Sequence, residues 1–150
     1  MLHDTLRKDM QIAMKAKDAV RLGTLRMALT ACTNALVAQG KKPDEKLEDV
    51  AVVAVVRRLM KQRKESAEQY RAADQEERAA TEDAERVVLE SYLPPELSEE
   101  EIRVVVGKKQ QELGLTEKKD TGALMKAVMA DLQGQVDGAV VSAIVGEVLA

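Results

Sequence analysis

The sequence predicts an all-α fold, with a four-helix part over residues 1–93 and a three-helix bundle over 94–150 joined at a Pro94-Pro95 hinge. Three observations lead there. Apolar residues recur at i, i+3 and i+4 through most of the chain. Pro94-Pro95 is the strongest break, because proline cannot continue a helix and forces its predecessor out of the helical region. The last thirty residues read as two short amphipathic helices joined by a Gly-x-x-Asp-Gly turn.

The first helix is expected over about residues 2–16, with Leu2, Leu6, Met10, Ala13 and Met14 facing inward. Asp18 caps the second, which runs over about 19–38 and ends near Gly40. There Leu22, Leu25, Leu29, Cys32 and Leu36 step by three and four, the spacing of lengthwise packing on another helix. Lys41-Lys42-Pro43-Asp44 breaks the chain, and a third helix follows over about 45–72. Its stretch 50–56 is so rich in Val that a buried strand competes. No turn signal separates it from the polar helical stretch behind it, so helix is the reading, with the Val run central in the bundle. A fourth helix covers about 75–92.

Beyond the prolines, Ser98 and Glu101 form a capping box for a fifth helix over about 99–113, which stops at Gly114. Asp120 and Asp137 are the expected N-caps of the last two helices. Their stripes are Leu124, Met125, Val128, Met129 and Leu132, then Val140, Val141, Ile144, Val145, Val148 and Leu149.

Net charge is −3, but it is unevenly spread. Residues 1–73 hold 15 Lys and Arg against 9 Asp and Glu, residues 74–117 hold 5 against 13, and the remainder 3 against 4. A basic front thus precedes an acidic middle and a near-neutral tail. Tyr70 and Tyr92 are the only aromatics, which argues against base-stacking platforms. One cysteine allows no internal disulfide and fits a reducing cytosol. No stretch is apolar for the roughly 18 residues a membrane span needs. The charged N-terminus lacks the apolar region of a signal peptide.

The densest candidate site is Arg57, Arg58, Lys61, Arg63 and Lys64, five cations within eight residues. Arg57, Lys61 and Lys64 fall on one helix face. Such a run tracks a phosphate backbone, or it is a solvated face paired onward through Lys61–Glu65 and Lys64–Glu68. His3, the only histidine, is read as lying at a frayed terminus without a partner. Cys32, on an apolar stripe, is read as a buried inert thiol. One His and one Cys cannot build a zinc site. Met10, Met14, Met27, Met60, Met125 and Met129 mostly fall on apolar stripes and are assigned to core rather than to a binding groove. No catalytic residue, metal site or cofactor is assigned.

Three segments stand out: Lys61-Gln-Arg-Lys-Glu-Ser-Ala-Glu-Gln-Tyr70, Glu90-Ser-Tyr-Leu-Pro-Pro-Glu-Leu-Ser-Glu99, and Gly122-Ala-Leu-Met-Lys126 with Gly134-x-x-Asp137-Gly138. In these the chain resembles the YqeY-type proteins of the GatB/YqeY family. The similarity runs in order along essentially the whole chain. It implies an all-helical protein whose end resembles the tail of the B subunit of the glutamine-dependent tRNA amidotransferase, which helps hold tRNA. Carbon–nitrogen ligase activity with glutamine as amido donor is implied by the same resemblance. So is a tail site at Gly122, Lys126, Gly134, Asp137 and Gly138. This chain departs from the family where a cation usually follows the turn glycine, since Gln135 stands there. It also shows no Gly-rich phosphate loop and no Ser–Lys or Cys–His constellation, so catalysis alone is not expected. The expectation is a cytoplasmic, non-catalytic helical module that binds tRNA or a component of tRNA amidotransfer or aminoacylation. The alternative is a protein–protein adaptor without nucleic-acid affinity.

Overall fold

The structure, a computed structural model, describes residues 1–132 and 136–150. Among these residues every regular element is helical and no strand occurs. The chain divides into two compact units, Met1–Leu93 and Pro94–Ala150.

The first unit holds α1 (Leu2–Lys15), α2 (Ala19–Ala38), α3 (Asp49–Ala72) and α4 (Glu76–Glu90). The Asp18 carboxylate accepts from the Arg21 amide and starts α2. Three helices end in the same way: a residue with positive φ follows the cap, and the next amide reaches back five residues. Lys41 N–H bonds to Leu36 O, Asp18 N–H to Ala13 O, and Gln75 N–H to Tyr70 O. Gly40 (φ 73°) fills the left-handed position after α2, but Lys17 (φ 57°) and Asp74 (φ 56°) fill it after α1 and α3. The latter two stops carry no glycine signal.

The Val-rich stretch is helical. Val52, Val53, Val55 and Val56 are buried, while Val50 is exposed. The third helix starts at Asp49 rather than near 45. Pro43 and the Glu45 carboxylate, which accepts from the Lys42 amide, hold the preceding residues in a turn. Leu47 then enters the core in a non-helical segment and is fully buried. Met14 also departs from expectation, being exposed. The steps from Leu2 to Leu6, Met10 and Ala13 already complete the inward stripe, and Met14 falls one residue, about 100°, beyond it. The core gathers Leu6, Leu25, Cys32, Leu36, Leu47, Val52, Val56, Leu59, Leu89 and Tyr92, and Leu29 and Met10 pack against it.

The second unit holds α5 (Glu99–Leu113), a 3-10 turn (Lys118–Asp120), α6 (Thr121–Leu132) and α7 (Gly138–Val148). Ser98 and Glu101 form the full capping box. Gly114 ends α5 at φ 64°. Asp137 caps α7 by accepting from Ala139 N–H at 2.9 Å. Asp120, expected to cap α6, instead turns back and accepts from Thr116 and Glu117 amides. It is already the last residue of the 3-10 turn, and the amides it can reach from there lie behind it. Ile102, Val106, Leu124, Val128, Leu132, Val141, Ile144 and Val145 make a core of this unit's own.

Candidate nucleic-acid interface

Helix α3 sorts its five cations by angle. Arg63 lies seven residues after Val56, four after Leu59 and four before Ala67, all buried, so its spacing sets it on the inner face. Its guanidinium is 2.7 Å from Glu85 and 3.4 Å from Glu82 of α4, and it also contacts the Met27 sulfur. Its side chain keeps only 15 % of its exposure. Burial pushes the Glu85 carboxyl above the usual range, outweighing the pull of Arg63 beside it. Arg63 therefore belongs to the α3–α4 seam rather than to a surface. The sequence held the signal for this in the same three- and four-residue spacing that locates Leu59.

Arg58, Lys61 and Lys64 are exposed. None makes an ion pair with a described residue, so the onward pairs to Glu65 and Glu68 do not form. Arg57 is half-buried at the edge of this group. Further along α3, Arg71 is held at 3.3 Å from Glu76 and 2.5 Å from Asp83, while Arg86 of α4 adds a 3.5 Å contact to Asp83. Glu82 and Glu85 of α4 are thus turned onto Arg63, and Glu76 and Asp83 onto Arg71, while Arg58, Lys61 and Lys64 have no carboxylate partner among the described residues.

In the second unit, Gly122 and Lys126 are exposed along α6, and Lys126 has no ion pair among the described residues. Asp137 is occupied as the cap of α7, and Gly138 is its first residue. Gly134 and Gln135 lie outside the described residues. Lys109 is taken by Asp131 and Glu112, each at 3.2 Å. Arg103 meets Glu147 at 2.7 Å across a shallow groove floored by Val140, Ala143 and Ile144.

Two other singled-out residues find their places. Cys32 is buried, and desolvation pushes its thiol up to about 11, against any nucleophilic role near neutral pH. His3 is not at a frayed end. It is 1 % exposed, and its Nδ1 accepts from Leu47 N–H at 2.9 Å. Among the described residues no group of His, Cys, Asp and Glu is arranged to hold a metal. No described helix is long and apolar enough to cross a membrane.

The family model described as "Yqey-like protein" matches residues 3–149. The chain is also similar to the "Altered inheritance of mitochondria protein 41, mitochondrial" of Meyerozyma guilliermondii. The two are 32 % identical over 90 residues, which is 60 % of this chain and 45 % of that relative. The chain thus matches less than half the length of the relative.

Proposed function

This chain belongs to the YqeY-like protein family, and we propose that it is a non-catalytic helical module that binds tRNA or assists tRNA-dependent amidotransfer. The carrying observation is the outer side of α3, where Arg58, Lys61 and Lys64 stand exposed without ion pairs to described residues while Arg63 and Arg71 hold Glu76, Glu82, Asp83 and Glu85 of α4. Polyanion affinity follows the number of phosphates neutralised, so this side supplies most of the binding, with Arg57 at its margin. Lys126 and the turn around Gly138 contribute less, since Gln135 is neutral where the family usually has a cation.

Carbon–nitrogen ligase activity with glutamine as donor enters this reading only through a larger complex. Pro94-Pro95 acts as the joint, a role supported by the unit boundary between Leu93 and Pro94. A reducing compartment such as the cytosol suits the lone buried Cys32.

The test is tRNA binding by the purified chain across a salt series. Three phosphate contacts give a slope of log K on log salt of about −2 to −3. Binding with no salt dependence, or none at all, sinks this reading and leaves the protein–protein adaptor.

A further inference from the structure

The start of α1 is fastened to the connection between α2 and α3, and to the first residue of α3, by polar contacts. Leu2 N–H donates to the Asp49 carboxylate at 2.8 Å, and the Lys46 ammonium meets the Asp4 carboxylate at 2.9 Å. Between them, out of water, Leu47 N–H donates to His3 Nδ1 at 2.9 Å. His3 is 1 % exposed and Leu47 wholly buried in the core of the first unit. An imidazole nitrogen accepts only when unprotonated, so His3 is neutral here and carries its proton on Nε2.

We propose that neutral His3 is a pH-sensitive latch, and that its protonation in mildly acidic solution releases the 41–48 connection and withdraws Leu47 from the core. The added proton goes to Nδ1, which turns from acceptor to donor and faces the Leu47 N–H donor. The bond is lost, and two buried donors oppose each other. The charges around the ring reinforce this. Arg7 on α1 and Lys46 on the connection disfavour an imidazolium, and only Asp4 favours one. Asp4 is itself engaged by Lys46, and Asp49 of α3 by the Leu2 amide. Burial, the largest effect, and these cations hold the imidazole below its ordinary value of 6.5. An opened connection restores that ordinary value, so acid favours opening. Leu47 then loses the one bond that holds its amide, while the helices on either side keep their own hydrogen bonds.

The experiment is amide hydrogen exchange on the full chain from pH 7.5 to 5, corrected for intrinsic exchange, with the imidazole followed by NMR in the same samples. The expected result is a fall in Leu47 protection of roughly tenfold per pH unit below 6.5 until the folded imidazole titrates. Amides inside α2 and α3 stay protected. In His3→Asn the carboxamide oxygen stands in for Nδ1 as a non-titrating acceptor, and Leu47 protection no longer depends on pH. Three outcomes overturn the latch. One is flat Leu47 protection in the wild type. Another is an imidazole titrating at 6.5 or above. The third is an equal loss at all core amides, which means unfolding of the whole unit. If His3→Asn does not fold, the wild-type titration and exchange still decide.

Discussion

The Tyr92 hydroxyl donates to the Asp9 carboxylate at 2.6 Å, joining residues 83 positions apart. Arg21 reaches the same hydroxyl at 3.5 Å. Tyr92, two residues beyond the end of α4, is thereby tied to α1 and α2. A hydrogen bond to a charged partner contributes about 1.5–3 kcal/mol. Tyr92→Phe is therefore expected to destabilise the first unit by about 1–3 kcal/mol in urea denaturation. A loss under about 0.5 kcal/mol means the tie is idle.

The same tie has a titration signature. Burial, then the bond to Asp9, pushes the Tyr92 hydroxyl from its ordinary 10 up to about 12. The neutral phenol is thus favoured by folding. Its contribution is whole below pH 10 and is lost as pH rises towards 12. In a Tyr70→Phe background, phenolate absorbance is expected only near pH 12 for the folded chain. Ionisation near pH 10 with the fold intact contradicts this.

Arg63 and Arg58 separate seam from surface. Arg63→Gln removes the cation beside half-buried Glu82 and Glu85 and is expected to cost about 1–3 kcal/mol. Arg58→Gln removes an exposed charge and is expected to stay within about 0.5 kcal/mol. Equal thermal shifts would deny the distinction.

The two candidate contact regions are separable by charge reversal. Arg58→Glu with Lys61→Glu is expected to weaken tRNA binding more than Lys126→Glu and to flatten its salt slope by about 2. A larger effect from Lys126→Glu moves the contact to the tail.

Lys17 sits at φ 57° without the freedom of glycine. Lys17→Gly is expected to raise stability by up to about 1 kcal/mol, since L side chains strain in the left-handed region. Gly114→Ala, at φ 64° with open space around a new Cβ, is expected to lower it by a similar amount. A destabilised Lys17→Gly shows that the lysine stem holds the turn by other contacts.

Most of the helical order was legible in the sequence because its causes are local. A three- and four-residue apolar rhythm, Asp18, Ser98 and Asp137 at helix starts, and Gly40 and Gly114 at helix ends act over a turn or two of chain. The helix over 50–56 followed from the absence of any break behind it. What escaped is what distant residues determine. Lys17 and Asp74 stop helices at positive φ with no glycine, so the residue-type signal that marks Gly40 and Gly114 is missing there. In sequence Arg63 groups with its neighbouring cations, yet its ion pairs come from Glu82 and Glu85 on α4. His3 has no partner nearby in sequence because that partner, the Leu47 amide, lies 44 residues on. Periodicity says which way a side chain points along its own helix. Only the tertiary structure says which charge, amide or water it meets there, and that meeting decides whether a cation is a surface contact or a buried tie.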